Sequence, residues 1–287
     1  MTVSEILPLW RSSLFVPATS ERFIAKAHLR GADAIKIDLE DAVAPTEKAR
    51  ARTLVAAVAA SVGQAGADVL VRINRPWRMA VADLEASVGA NVNGIVIPKI
   101  ESADHVVFLE EIVAELEAER GLAPGHTCFT LQIETAKGFL NVREIAGASR
   151  RNAAISVGNE DFAHMLGMPK TISEALIGAM QTVQMAAREA GILALGYPGS
   201  ITNFSDLDTY RADIARARAL GFDGGSCIHP AQVAILNEGF APTAEEIAEA
   251  EGIIAAYDAA LARGEGAVAY QGKMIDIPIA ARARRTL

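Results

Sequence analysis

Eight short apolar runs, alternating with helix-length segments over the first 240 residues, predict an α/β chain folded as a (β/α)8 (TIM) barrel with a C-terminal helical extension and tail. Three observations carry this expectation. The runs are four to six residues long, too short for helices, and the stretches between them have helical periodicity. The chain is 51% hydrophobic with only 5% aromatic residues, the usage of a protein rich in packed helices and buried strands. Ionisable residues follow nearly every run on one side, whereas the opposite connections are plain turns such as Gly31–Asp33 and Gly221–Asp223. An open doubly wound sheet is the alternative, but Phe15–Ser20 (FVPATS) after the first run is no dinucleotide-binding turn.

Taken in order, Ser13–Val16 is the first strand. A helix over Ser20–Leu29 follows, capped by Thr19 or Ser20 and stopped at Gly31. Ala34–Leu39 is the second strand, leading through the acidic Glu40-Asp41 into a helix over Thr46–Ala60. Val69–Ile73 and Gly94–Ile97 are the third and fourth, each with a helix behind it, over Ala80–Ala90 and Ser102–Ala118. Cys128–Ile133 and Ala153–Val157 are the fifth and sixth, joined by a helix over Ala136–Ala148. A longer helical region comes next, interrupted near Met168-Pro169-Lys170 and resuming over Ser173–Ala190. Ile192–Leu195 is the seventh strand, trailed by a Gly/Pro/Ser-rich loop and a helix over Asp206–Leu220; Gly224–Ile228 is the eighth, followed by His229-Pro230 and a short helix. Residues 1–240 thus read as a catalytic barrel domain. Residues 241–287 read as a helix starting at Thr243, with Glu245 and Glu246 in its first turn, and a tail from Gly264 onward that lies outside the barrel count.

The composition narrows the function. A net charge of −8 and pI near 5.2 argue against a nucleic-acid partner, and the basic run at Arg282–Arg285 is too short to neutralise several phosphates. Cys128 and Cys227 each sit inside an apolar run without ligand spacing, so both read as buried free thiols in a reducing, cytoplasmic setting. The N-terminal segment has an acid early and no long apolar stretch, so no leader is expected, and no apolar run is long enough for a membrane span.

Parallel strands place their C-terminal ends on one side of a sheet. Glu134 after the fifth strand and Asp161 (beside Glu160) after the sixth therefore converge at one rim. Such acids commonly cap helices, and for Glu134 alone that reading is preferred. As a pair they suit a hard cation held through oxygen with positions left for substrate. The same rim carries Asp38, Glu40 and Asp41, then Arg72 with Asn74, Pro98-Lys99, and His229. Asp38 and Glu40 have two readings, a rim salt bridge with Lys36 and Lys48 or a direct role. Arg72, inside an apolar strand, must face an acid, an anionic substrate or both, because an unpaired buried guanidinium is costly. Lys99 stands where a Schiff-base lysine could, but nearby acids hold its pKa high, which favours an ion pair or a phosphate contact. His229 reads as a cap of the last strand, and Asp206 and Asp208 as helix caps.

Seven motifs run in order along the chain: Arg11–Pro17 (RSSLFVP), Ile37–Val43 (IDLEDAV) with Lys48 and Arg50, Val71–Asn74 (VRIN), Ile97–Glu101 (IPKIE), Ile133–Thr135 (IET), Gly158–Phe162 (GNEDF) and Ile228–Gln232 (IHPAQ). Together they resemble the citrate lyase β-subunit-like branch of the HpcH/HpaI aldolase superfamily, which includes malyl-CoA and citramalyl-CoA lyases. The resemblance implies Mg2+ held by Glu134 and Asp161, Arg72 on the reacting oxygens or carboxylate of the substrate, and Glu40 and Asp41 supporting the metal's waters. The tail, Gly272–Pro278 (GKMIDIP), is similar to one whose aspartate, here Asp276, enters a neighbouring subunit's site as acid/base, so a homo-oligomer (trimer or hexamer) is implied. Arg11, Phe15, Lys26 and Pro98 are implied as contacts to substrate or CoA. One departure stands out: many relatives have an aspartate ending the seventh strand, where this chain reads Leu193–Ser200 (LALGYPGS).

The expected activity is a Mg2+-dependent carbon–carbon lyase cleaving, or forming, a β-hydroxyacyl-CoA thioester such as malyl-CoA or citramalyl-CoA, with an acyl-CoA and a 2-keto acid as products. Two alternatives remain open: a β subunit of a citrate lyase complex acting on an acyl-carrier-protein thioester, and a malyl-CoA-type thioesterase. A non-catalytic barrel is disfavoured by the intact Arg72, Glu134 and Asp161.

Overall fold

The computed structural model describes residues 7–169 and 173–287. The interruption expected at Met168–Lys170 falls partly outside them, as does the start of the segment read as lacking a leader. The chain divides after Phe240 into two compact units.

The first unit is a ring of parallel strands, β1 (Ser12–Pro17), β2 (Ala34–Asp38), β3 (Asp68–Arg72), β4 (Gly94–Ile97), β5 (Cys128–Ile133), β6 (Asn152–Val157), β7 (Leu193–Leu195) and β8 (Gly225–Cys227). Each strand pairs with its neighbour in sequence, and β8 pairs back onto β1. A parallel bridge between Leu195 and Gly224 closes the ring. Hydrogen bonds from Asp223 N to Ala194 O and from Gly196 N to Gly224 O flank that bridge. The fold is therefore the closed barrel, and the open-sheet alternative is excluded.

Alternation along each strand decides what lies inside. Leu14, Val16, Ile35, Ile37, Val69, Val71, Ile95, Ile97, Phe129, Leu131 and Ile155 point outward into the main apolar core, shared with the helices. Leu70, Val96, Ala154, Leu193 and Leu195 belong to a second, smaller cluster with Trp10 and Ala34, which fills the inside of the ring. The inward positions nearer the C-terminal ends are polar: Lys36 and Asp38 on β2, Arg72 on β3, Gln132 on β5, Ser156 on β6 and Ser226 on β8. The barrel is thus dry at one end and ionic at the other.

The helices that position the rim are α1 (Glu21–Ala27), α2 (Lys48–Val62), α3 (Trp77–Ser87), α4 (Ala103–Glu119), α5 (Ala136–Leu140), α6 (Val142–Ala146), α7 (Asn159–Met165), α8 (Ser173–Ala190), α9 (Leu207–Ala219) and α10 (Pro230–Phe240). The single helix expected over Ala136–Ala148 is two, broken at Asn141, whose side chain donates to Glu101 O. Asp206 caps α9 by accepting from Thr209 N, as read from the sequence. No helix among the described residues is long and apolar enough to cross a membrane.

The second unit opens with α11 (Ala244–Ala262), whose Thr243 and Glu246 form a reciprocal capping box. A hairpin of β9 (Val268–Tyr270) and β10 (Lys273–Ile275) follows, unanticipated within the tail. Its two-residue turn, Gln271-Gly272, has positive φ at both positions (46° and 77°), the geometry that matches the twist of the strands. α12 (Ile277–Thr286) closes the unit over a small core of Tyr257, Ile275 and Ala280.

Candidate active site

The polar rim is organised by Arg72. Inside the ring its guanidinium grips Asp38 in two parallel contacts, Nε to Oδ1 at 2.8 Å and Nη2 to Oδ2 at 2.7 Å. The same carboxylate accepts from Glu40 N and Ala42 N, so Asp38 takes four N–H groups and pins the turn leaving β2. These donors outweigh burial and hold the Asp38 carboxyl below the usual range. Arg72 also lies over the Phe15 ring, 4.8 Å from its centroid, and its pKa is raised by Asp38 and Glu40. Of the two readings of Asp38 and Glu40, the rim salt bridge with Lys36 and Lys48 therefore does not form. Asp38 is held by Arg72, and Lys48 Nζ donates to the carbonyls of Leu39 and Glu40 instead. Asn74 is buried, with its side chain donating to Leu39 O and to Asp83 on α3.

Around this pair stand four further acids. Glu40 reaches the Lys99 ammonium at 2.8 Å through Oε1. Its Oε2 lies 3.0 Å from Arg72 Nη1 but off the hydrogen-bond direction, which leaves a buried oxygen without a donor. Glu134, 2% exposed, accepts from Lys99 N at 2.9 Å. That contact depends on Lys99 adopting the left-handed conformation (φ 49°), rare for a non-glycine residue and found chiefly where function fixes it. Gly158, just after β6, makes room for the carboxylate: a Cβ there would lie 2.5 Å from Glu134 Cγ and Oε1. Asp161, in the first turn of α7, is more open, with 40% of its side chain exposed, and stands 3.5 Å from Lys99 Nζ. Asp41 is outermost, 3.7 Å from Arg72 and 3.9 Å from Lys99.

The electrostatics follow. Burial, then the charges of Glu40 and Asp161, push the Glu134 carboxyl up to about 8. Burial likewise raises Glu40. The acids in turn keep Lys99 fully charged, above its ordinary range, so a Schiff-base role is not supported. One ammonium among Glu40, Glu134 and Asp161 leaves the cluster short of positive charge. An all-oxygen donor set in which Glu134 resists ionising and Glu40 Oε2 lacks a donor fits a small hard cation. No group of three or more His, Cys, Asp or Glu among the described residues forms a complete metal cage. Mg2+ does not require one, since it is commonly held by one or two carboxylates with water and substrate completing the shell.

A cavity of about 130 Å³ opens beside these groups, lined among others by Phe15, Arg72, Glu134, Asp161, Tyr197 and Ser226. The loop after β7 forms one wall. Asn159 ties it down by donating to the carbonyls of Tyr197 and Gly199, and Ser200 donates to Glu160. Tyr197 in turn donates its hydroxyl to Ser226 O. The wall thus presents a buried tyrosine and no acid of its own from Leu193 to Ser200.

The remaining sequence candidates distribute as follows. Phe15 lines the cavity, and Pro98 is buried at the end of β4 beside Lys99. Arg11 precedes β1, at the opposite end of the barrel, and is paired twice with Asp33. Lys26 is exposed in the last turn of α1, away from the rim. Those two do not join the site. Asp276 belongs to the second unit, where it caps α12 by accepting from Ile279 N. His229 stacks on Phe204 and accepts from Ala231 N, a local turn rather than a base. Asp38 anchors Arg72 and Lys99 forms the ion pair read for it, whereas Tyr197 had not been singled out.

Comparison with known proteins places this geometry in context. A family model described as HpcH/HpaI aldolase/citrate lyase matches residues 11–230. A citrate lyase subunit beta from Leuconostoc mesenteroides subsp. cremoris is 35% identical over 97% of this chain and 92% of its own length. An L-malyl-CoA/beta-methylmalyl-CoA lyase from Cereibacter sphaeroides is 36% identical over 93% of this chain and 90% of its own. Among solved structures, protein CitE from Mycobacterium tuberculosis in complex with magnesium, acetoacetate and coenzyme A is 28% identical, with a TM-score of 0.73 over 99% of this chain and 98% of that one.

Proposed function

The chain belongs to the HpcH/HpaI aldolase/citrate lyase family and is a carbon–carbon lyase; from that premise we propose that it cleaves, or forms, a β-hydroxyacyl-CoA thioester such as malyl-CoA or citramalyl-CoA, using Mg2+ held by Glu134 and Asp161. The observation that carries the reading is the convergence of those two acids and the Arg72 guanidinium on one small cavity at the barrel's C-terminal rim. The magnesium-bound CitE structure is in keeping with it.

The division of labour follows from the contacts. Glu134 and Asp161 would hold Mg2+, which would supply Lewis acidity towards the 2-keto acid portion of the substrate. Asp38 engages two of the five N–H groups of Arg72, which fixes the fork and leaves others for the charge that develops on a thioester oxygen. Lys99, anchored on Glu40, offsets part of the acids' negative charge, which eases the approach of an anionic substrate. Phe15 shields the guanidinium from water and so strengthens its field. A proton must also move at the thioester α-carbon, and Asp276 of a neighbouring copy is the group we assign to it, in a trimer or hexamer. The partners are an acyl-CoA and a 2-keto acid.

The test is to incubate the protein with Mg2+ and malyl-, citramalyl- and methylmalyl-CoA while following 2-keto acid release. Release from at least one supports the reading, and none from any overturns it. The likeness to citrate lyase subunit beta favours one second reading, an acyl-carrier-protein thioester as substrate. Co-purification of a carrier protein, with no turnover of free CoA thioesters, would establish it.

A further inference from the structure

The lyase chemistry leaves one buried pair unused. Lys36 lies on β2 with its side chain inside the ring and is 1% exposed. It forms no ion pair among the described residues, because the neighbouring carboxylate, Asp38, is taken by Arg72. Its ammonium instead lies 5.3 Å from the Phe15 ring centroid and donates to Ser226 Oγ at 2.8 Å. Ser226, inward on β8, lines the same cavity as Arg72 and Glu134. A buried lysine without an acid is costly and is seldom kept for stability alone.

We propose that Ser226 and Lys36 are a nucleophile–base pair that gives this cavity a second, hydrolytic activity towards thioesters. The inference rests on the reading above only in taking thioesters as what enters the cavity. Two features support it. The titratable and charged groups facing Lys36 are the Arg72 guanidinium from β3 and the Cys227 thiol from β8. Burial, with the repulsion of Arg72, brings the amine down to about 7, so a substantial share is neutral near neutral pH and can accept a proton. With the amine neutral, the 2.8 Å contact serves a hydroxyl donating to nitrogen equally well.

The steps balance. Ser226 Oγ bonds to the thioester carbonyl carbon while its proton passes to Lys36 Nζ. The carbon–sulfur bond then breaks, and the lysine proton goes to the departing sulfur, releasing a thiol and leaving an acyl ester on Ser226. Water adds to that ester, giving one proton to Lys36 and thence to Ser226 Oγ, and the carboxylic acid leaves. The charge on the carbonyl oxygen meets the guanidinium of Arg72, which lines the same cavity.

The test uses the full-length protein without added metal and a small fluorophosphonate probe, with the labelled peptide identified by mass spectrometry. The probe has neither a CoA nor a keto-acid portion, so its outcome is independent of the lyase assay. The wild type should label at Ser226. Labelling should vanish in Ser226→Ala and slow about a hundredfold or more in Lys36→Arg, whose guanidinium cannot accept a proton. Lys36→Met, apolar and of similar length, gives the same comparison should the arginine variant fail to fold by circular dichroism. An acyl adduct on Ser226 after incubation with a short acyl-CoA, with thiol released, would extend the result to thioesters. No label at Ser226 in the wild type, or wild-type labelling in a folded Lys36 variant, overturns the proposal.

Discussion

Replacing Asp38 by Asn tests the anchor of the site. Two donors meet each oxygen of this carboxylate: Arg72 Nε and Glu40 N on Oδ1, Arg72 Nη2 and Ala42 N on Oδ2. An amide keeps one oxygen and turns the other into an NH2 group, so two of the four N–H groups would face a donor. Each buried group left unpaired costs about 1–3 kcal/mol, and breaking a buried ion pair typically costs about 3–5 kcal/mol. The two routes agree on a loss of about 3–5 kcal/mol, read as a fall in the urea midpoint at unchanged slope. Lyase turnover should fall by roughly a hundredfold, since the guanidinium loses its orientation while Glu134 and Asp161 stay in place. A destabilisation below about 1 kcal/mol with normal turnover would refute the reasoning, because Asp38 would then be no more than a helix-side acid.

Three further outcomes are expected. Gly158→Ala drives a methyl into Glu134, whose Cγ and Oε1 lie 2.5 Å from the added carbon, so Mg2+ affinity should drop about 10–100-fold by calorimetry while the barrel stays folded. Glu134 sits at about 8 in the folded metal-free protein against an ordinary value of 4.5, so its contribution to stability is fully present below the ordinary value and lost as pH rises through about 8. Denaturant midpoints without metal should therefore fall as pH rises from about 5 to 7, and Glu134→Gln should flatten the slope; an unchanged slope would contradict the buried, like-charge setting. This window lies above that of Asp38, whose depressed pKa acts only in acid, and below the rise towards alkaline pH expected from Lys36 at about 7. Asp276→Ser keeps an oxygen to cap α12 but removes the carboxyl, so folding and Mg2+ binding should persist while turnover is largely lost; an unchanged kcat would remove Asp276 from the mechanism.

Most of the eight strands were legible as short β-branched or aliphatic runs bounded by turn residues, β8 (Gly-Ser-Cys) being the weakest, and the convergence of Glu134 and Asp161 followed from parallel pairing alone. Pairing inside the rim was not legible in the same way. Asp38 and Lys36 alternate on one strand and face inward together, but only the closed ring shows that Asp38 meets β3 while Lys36 reaches across to β8. Period-two counting did hold the signal for Lys36: a lysine between two isoleucines, in step with Asp38, cannot face the apolar shell. The ion pairing of Lys99 was legible from the acids around it, but not its backbone N–H contact to Glu134, which arises from a left-handed backbone that no propensity scale assigns to lysine. The break at Asn141 and the tail hairpin were missed because helical periodicity spans a one-residue kink and because three-residue strands carry almost no pattern.

The most direct test of the account is equilibrium binding of Mn2+, as a paramagnetic stand-in for Mg2+, to the wild type and to Glu134→Gln and Asp161→Asn. One ion per chain in the wild type, displaced by Mg2+ and lost in both variants while they remain folded, is the expected result. Undiminished binding in both variants would mean that these two carboxylates do not hold the metal.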